Sequence, residues 1–271
     1  MDSSLPVVGG ALATAQLPAR ADWLCASARD LELTDPLTNV FFETDWQATA
    51  REAARVLTGH TGRRGAHAPF NSVPIDAPDV RVAAVVRDRL FQSLEFVALT
   101  GGSHLVLHSP FLYYGTAQAI ARGADLADKI ERVRENLAPV VERAIAQNCV
   151  LVIENIFDLR PEPLDALVSR FASPFVRRSL DTGHANLMRP RGAPPADVWV
   201  EAAGDLLAHV HLADNDAESD RHWACGDGTV AWAPLFRALA KLPLRPRLIL
   251  EMSPENQDRA LAWLTQAGLA R

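Results

Sequence analysis

The stretch Cys149-Val-Leu-Val-Ile-Glu-Asn155 is apolar over its first five residues and then ends in an acid and an amide. A run this uniformly apolar is typical of a strand that is covered on both faces, as in a parallel sheet. Similar short apolar runs alternate along the chain with longer segments whose apolar residues recur at three- and four-residue spacing, as in 80–100 and 126–147. The alternation predicts a fold built from repeated strand–helix units.

Eight strands can be placed in this way. They are predicted at 5–9, 30–33, 64–70, 104–111, 149–155, 175–181, a run that ends at His211, and 247–252. The helices predicted with them cover 21–29, 46–57, 80–100, 126–147, 163–172, 198–205, 233–241 and 254–268. This number of units in about 250 residues predicts a (β/α)₈ TIM barrel of the α/β class, with residues 1–271 as a single domain. An open, doubly wound sheet is the alternative, but no glycine-rich nucleotide turn follows the first strand.

Composition narrows the choice of partners and compartment. The net charge is −6, and Lys129 and Lys241 are the two lysines, which argues against nucleic acid as a partner. Cys25, Cys149 and Cys225 form no CxxC pair, which predicts free thiols in a reducing compartment. No secretory signal and no run of eighteen apolar residues is visible. We therefore predict a cytoplasmic protein without a membrane segment, which could form a homo-oligomer.

The side chains most suited to binding a metal lie at the ends of the predicted strands. The strands of a parallel barrel point their C-terminal ends into one mouth. Strands three to eight end in side chains that can bind a metal, namely His67, His108, Glu154, Asp181, His211 and Glu251. Each has an ordinary alternative explanation, such as a rim hydrogen bond, a helix cap or a turn. Six in succession, however, predict a divalent-metal site at the mouth.

A second group of polar residues follows the sixth and seventh strands. It comprises His184, Asp220 and His222, and the last two belong to the polar stretch that ends at Gly226-x-Gly228. These three side chains are candidates for additional metal ligands, for partners of substrate hydroxyls, or for groups that orient the ligands. His60, His104 and His209 do not lie at predicted strand ends, and we interpret them as structural.

Several short motifs resemble those of the xylose-isomerase-like barrels, a superfamily that includes sugar epimerases and endonuclease IV. They are His67-Ala-Pro-Phe70, Leu105-Val-Leu-His-Ser-Pro-Phe111, Val152-Ile-Glu-Asn155, Leu180-Asp-Thr-Gly-His184, His209-Val-His-Leu-Ala-Asp-Asn215, Asp220-Arg-His222, Gly226-Asp-Gly228 and Leu250-Glu251. Together they span most of the chain. They are specific for the superfamily and much less specific for one branch of it.

The resemblance to the epimerase branch implies one divalent ion, with Mn²⁺, Zn²⁺, Mg²⁺ or Co²⁺ as candidates. Its ligands would be Glu154, Asp181, His211 and Glu251. Glu154 and Glu251 would also act as catalytic acid and base, exchanging a proton through a metal-stabilised enediolate. His184 and Arg221 would hold substrate oxygens. The predicted function is therefore that of a sugar or sugar-phosphate isomerase or epimerase.

The resemblance to endonuclease IV implies an alternative, a zinc-dependent phosphodiester hydrolase that acts at apurinic sites. That family holds three zinc ions with nine side chains, and all nine have counterparts here: His67, His108, Glu154, Asp181, His184, His211, Asp220, His222 and Glu251. The loops oppose it, because 71–76 contains no basic residue and only Met188-Arg-Pro-Arg191 is suited to contact phosphate. A non-catalytic barrel that binds small molecules is the third possibility.

Overall fold

Eight parallel strands close into a barrel in chain order, with the first strand paired to the last. The structure is a computed structural model and describes residues 5–71, 73–112 and 125–271. The strands are β1 Gly9–Leu12, β2 Leu31–Leu33, β3 Arg64–His67, β4 His104–His108, β5 Val150–Glu154, β6 Val176–Asp181, β7 Leu207–Leu212 and β8 Arg247–Leu250. The predicted single-domain (β/α)₈ fold is confirmed.

Helices pack around the barrel between the strands. Those in the described ranges are α1 Leu17–Cys25, α2 Trp46–Val56, α3 Val80–Leu99, α4 Leu126–Ala146, α5 Glu162–Arg170, α6 Thr182–Leu187, α7 Ala196–Ala203, α8 Trp232–Ala240 and α9 Pro254–Gln266. Side-chain caps fix the starts of the longest ones, since Asp79 accepts from the amides of Arg81 and Val82, and Asp125 accepts from that of Ala127. None of these described helices is both long and apolar enough to cross a membrane.

The first strand and first helix differ from the prediction. The predicted strand at 5–9 is wrong, because Pro6 and Val8 form backbone hydrogen bonds with Arg271 and β1 begins only at Gly9. A Cβ atom at Gly9 would lie 1.9 Å from the carbonyl oxygen of Asp30, so glycine lets β1 approach the start of β2. Helix α1 begins four residues earlier than predicted, with Pro18 in its first turn.

The barrel interior contains a polar layer as well as apolar side chains. Glu32, His104, Ser179 and His209 are all fully buried there, on β2, β4, β6 and β7. Above this layer, toward the C-terminal ends of the strands, lie the side chains for which a metal site is predicted. The strand register brings them together, because Glu154 pairs with His108 and Asp181 pairs with His211.

Candidate metal centre

Four strands each supply one ligand to a compact cluster. Glu154 and Asp181 are the last residues of β5 and β6, His211 is near the end of β7, and Glu251 directly follows β8. One ligand atom from each lies within 4.8 Å of the others. The Nδ1 atom of His211 is 3.2 Å from both a Glu154 oxygen and a Glu251 oxygen, and 3.8 Å from an Asp181 oxygen. The structure thus brings the four predicted ligands to one point.

The chemistry of this cluster fits a divalent ion. A buried polar atom normally has a hydrogen-bond partner. Among the residues that the structure describes, none donates or accepts a hydrogen bond at one buried oxygen of each of the three carboxylates or at the buried Nδ1 of His211. Metal–ligand bonds of about 2.0–2.2 Å in a tetrahedral site would put the ligand atoms roughly 3.2–3.6 Å apart, close to the spacing seen here. Three carboxylates and one imidazole form an oxygen-rich set that suits several divalent ions.

His67 and His108 lie beside the same glutamate. The two Nε2 atoms are 3.2 Å apart, and that of His67 is 3.7 Å from Glu154. The other ring nitrogen of His67 is 2.7 Å from the carbonyl oxygen of Ala68, which fixes the orientation of the ring. Phe70 stacks on His108 with ring centroids 4.9 Å apart. These contacts place both imidazoles where they could share Glu154 with a second ion.

The second predicted group also converges. His184 lies in the first turn of α6, where Asp181 caps the helix by accepting from its amide. Its Nε2 atom and that of His222 are each 3.2 Å from one oxygen of Asp220. The backbone of His222 is left-handed, with φ of +48°, which is uncommon outside glycine and concentrates at functional sites. The same residue lines the cavity at the mouth of the barrel.

The loop that carries Asp220 and His222 is organised by Asp214, a residue that the sequence analysis did not single out. Asp214 is fully buried and accepts hydrogen bonds from the amides of Gly226 and Val230 and from the indole of Trp232. A Cβ atom at Gly228 would lie 2.4 Å from the Asp214 carboxylate. The Gly-x-Gly pattern therefore permits the loop to close around this acid.

The pKa values of the ligands reflect an excess of negative charge. Burial opposes ionisation of Glu154, but His211, His184 and His67 outweigh it and hold its pKa well below the usual range. Burial raises the pKa of Glu251 to about 7, and the charges of Glu154 and Asp181 add to this effect, against the attraction of His211. The hydrogen bond to Asp220 raises the pKa of His222 to about 10. The carboxylates thus attract protons to their neighbours, as they would attract a cation.

Glu32 is a further participant that the sequence analysis missed. It lies in the middle of β2, is fully buried, and has an oxygen 2.9 Å from Nε2 of His211. Its second oxygen is 3.0 Å from His209 and 3.5 Å from His104. An acid flanked by two leucines in a three-residue buried strand is the signal that could have identified it, because an unpaired charge there is costly.

Other predicted residues lie outside the cluster. The Arg221 side chain is 40% exposed, its Nε donates to Asp216, and its guanidinium lies over the ring of Trp223. His60, interpreted as structural, has Nε2 2.8 Å from the carbonyl oxygen of Arg29. The role of Arg221 in substrate binding remains a prediction.

A cavity of about 830 Å³ opens above the ligands. His67, His108, Glu154, His184, Asp220, His222 and Glu251 form its polar side. Phe70, Ile75 and Phe157 contribute an apolar side, and Asp76 and Lys129 line it as an ion pair of 2.7 Å. Of the four clustered ligands, Glu154 and Glu251 therefore face a space that can hold a small molecule.

Comparisons with known proteins are consistent with this architecture. A family model described as the xylose isomerase-like TIM barrel matches residues 28–267, whereas no curated protein sequence matches the chain. Among solved structures, the TTHB071 protein from Thermus thermophilus, whose crystal was soaked with ZnCl₂, is 25% identical with a TM-score of 0.76, covering 97% of this chain and 99% of that one.

Two structures named after sugar epimerases share the fold at lower identity. A D-tagatose 3-epimerase-like protein is 16% identical with a TM-score of 0.73, covering 88% of this chain and 87% of that one. The 3-keto-D-glucoside 4-epimerase from E. coli is 14% identical with a TM-score of 0.72, covering 96% and 99% of the respective chains.

Proposed function

Because the chain belongs to the xylose isomerase-like TIM barrel family, we propose that it is a divalent-metal-dependent isomerase or epimerase of a sugar or sugar phosphate. The observation that carries the proposal is the cluster of Glu154, Asp181, His211 and Glu251, each of which offers one ligand atom within 4.8 Å of the others, below an open cavity. Its structural neighbours named as sugar epimerases support the same substrate class.

We assign each residue a role from its position relative to the ion and the cavity. An ion held by the four ligands would polarise a substrate carbonyl and offset the negative charge that develops on its oxygen. Glu251 has a side chain 17% exposed and lines the cavity, so it can exchange a proton with the carbon next to that carbonyl. Glu154 lines the same cavity and is the second acid/base group. His184 and Arg221 are assigned to substrate oxygens.

Proton abstraction can be tested before the natural substrate is known. Metal-loaded protein is incubated in D₂O with a panel of ketoses and ketose phosphates, and deuterium at the carbon next to the carbonyl is followed by NMR. We expect exchange with the wild type and with His60→Ala, and none with Glu154→Gln. The His60 ring contacts Arg29 and Arg64 and lies outside the metal cluster, which makes it a control. Absence of exchange with every sugar would overturn the proposal.

A zinc-dependent phosphodiester hydrolase is the second candidate. It is favoured by the position of His67 and His108 against Glu154, and by the convergence of His184 and His222 on Asp220. These contacts provide ligands for up to three ions, and clustered Zn²⁺ can activate water and neutralise a phosphodiester. A net charge of −6 argues against binding of a nucleic-acid backbone.

Metal content separates the two candidates. Protein purified without chelator is analysed for bound metals, and close to one ion per chain is the result expected of the isomerase or epimerase. Nearly three zinc ions per chain, together with nicking of DNA that contains abasic sites, would favour the hydrolase instead.

A further inference from the structure

The imidazole of His211 is held from two sides. Its Nδ1 atom faces the carboxylates of Glu154 and Glu251, whereas its Nε2 atom is 2.9 Å from Oε1 of Glu32 on β2. All atoms of His211 and Glu32 are inaccessible to solvent. A neutral imidazole can bind an ion through one nitrogen only if the proton resides on the other. The contact with Glu32 therefore decides which nitrogen is free.

Glu32 is itself fixed from below. Its Oε2 atom is 3.0 Å from Nε2 of His209 and 3.5 Å from Nε2 of His104. The hydroxyl of Ser179 lies 2.8 Å from Nδ1 of His209, so a hydroxyl proton donated there leaves the imidazole proton directed at Glu32. The ring of His104 lies over Gly65, where a Cβ atom would come within 2.2 Å of it. The carboxylate has almost no freedom to rotate away.

Imidazoles face both oxygens of Glu32. Nε2 of His211 lies 2.9 Å from Oε1 and Nε2 of His209 lies 3.0 Å from Oε2, and donors at both oxygens favour the carboxylate over the neutral acid. A charged acceptor makes a shorter and stronger hydrogen bond than a neutral one. It also increases the basicity of the imidazole that donates to it, which strengthens the bond from the opposite nitrogen to a metal.

We infer that Glu32 is a positioning residue of the metal centre, which keeps the proton of His211 on Nε2 and leaves Nδ1 free for the ion. The inference rests on the proposed function, because it requires an ion in the cluster of Glu154, Asp181, His211 and Glu251. Glu32 touches neither the substrate cavity nor the predicted ion. It acts through His211 alone.

The same residues present an alternative, an ion between Glu32, His104 and His209, whose ligand atoms also lie within 4.8 Å of one another. Within the described part of the chain this group offers three ligand atoms, one fewer than a closed structural zinc site uses. The distances of 3.0 and 3.5 Å to Oε2 correspond to one hydrogen bond and one longer contact from neutral imidazoles. The geometry favours a hydrogen-bonded support over a second metal site.

The test is the affinity for Zn²⁺, measured by competition with a chromophoric chelator, together with the visible spectrum of the Co²⁺-loaded protein. Glu32→Gln preserves the shape of the side chain and removes its charge. We expect the affinity to fall about 10- to 100-fold, as is typical when the group behind a metal-binding histidine is lost, and we expect the Co²⁺ bands to shift. Asp158→Asn is the control, because Asp158 is similarly buried and, within the described residues, hydrogen-bonds to Ser109 and Ile156 rather than to His211. Its affinity should match that of the wild type.

The possible outcomes separate this inference from the proposed function. If the wild type binds none of Zn²⁺, Mn²⁺, Mg²⁺ and Co²⁺, the proposed function fails. If the wild type and Glu32→Gln bind equally well, only the role of Glu32 is refuted. Should Glu32→Gln fail to fold, a crystal structure of the Zn²⁺-loaded wild type decides the matter by anomalous scattering. An ion at Nδ1 of His211 supports the inference, and an ion between Glu32, His104 and His209 overturns it.

Discussion

Glu32 and Glu251 approach the same imidazole from opposite sides, and their pKa values are shifted in opposite directions. Both lie close to His211, but the other neighbours that act on Glu32 are imidazoles, whereas Glu251 has the carboxylates Glu154 and Asp181 beside it as well as His222. Burial opposes the ionisation of both acids. At Glu32 the imidazoles outweigh it and hold the pKa far below normal, whereas at Glu251 burial and the two carboxylates together raise the pKa to about 7. The comparison shows that strand position alone does not give a buried acid its role. The charges of its neighbours decide between a fixed anion and a group that can exchange a proton.

The largest expected effect is that of replacing Glu251, which lies on the metal-cluster side of His211. Glu251→Gln removes both a ligand and an acid/base group, so turnover of an identified substrate should fall by about 10²- to 10⁴-fold or more. The free energy of unfolding of metal-free protein should not fall, because the substitution relieves repulsion among carboxylates. Steady-state kinetics and urea unfolding measure the two quantities. Near-normal turnover would remove Glu251 from the mechanism.

A smaller effect is expected from a larger side chain at Gly65, next to His104 in the polar layer that supports Glu32. Gly65→Ala places a methyl group within 2.2 Å of the ring of His104, which cannot move freely because it is fully buried. Overpacking of this kind costs about 1–3 kcal/mol of stability. The cost should be much smaller in a His104→Ala background, which vacates the space. Denaturant unfolding measures the loss of stability that Gly65→Ala causes in each background. Equal losses would show that the His104 ring is not what excludes a larger side chain at position 65.

The last effect concerns the pH dependence of stability, and it is small at any one pH step. Burial lowers the pKa of His104 to about 3, and the charge of Arg247 acts in the same direction. The unfolded chain, with a histidine pKa of about 6.5, therefore binds a proton that the native state excludes. The contribution of the neutral His104 to the free energy of unfolding is therefore fully present above pH 6.5. It is lost as the pH falls from 6.5 toward 3.

His104→Gln isolates this contribution in metal-free protein. Between pH 4 and 6, the unfolding free energy of the wild type should decrease with falling pH more steeply than that of His104→Gln, by about 1.4 kcal/mol per pH unit for one proton. Parallel curves would mean that His104 is protonated in the folded protein, and the charges assigned around Glu32 would have to be revised.

The sequence predicted the residues at the strand ends much better than the polar layer around Glu32 in the barrel interior. His67, His108, Glu154, Asp181, His211 and Glu251 follow apolar runs directly, so their convergence needed only the rule that parallel strands end at one mouth. Glu32 lies within a strand, and its partners come from β4 and β7. No local pattern states which interior positions face one another, because that depends on the stagger of the closed barrel.

Backbone contacts explain the errors at the start of the chain. The run from Leu5 to Gly9 is apolar enough for a strand, but the close approach of Asp30 selects the glycine pair that follows it. The short helix α6 was not predicted, and a turn was only an alternative explanation for Asp181-Thr-Gly, since a cap and a turn use the same residue types. Only the three-dimensional contacts distinguish these alternatives.

The buried carboxylate of Glu32 also limits how this barrel can be divided. Glu32 and His211 are 179 residues apart in the chain. A half barrel containing β1 to β4 would include Glu32 and His104 but neither His209 nor His211, and its buried charge would lose the partners that hold it ionised. The two halves are therefore not interchangeable modules. A gene fusion or exchange that joins this N-terminal half to a foreign C-terminal half has to supply both imidazoles of β7.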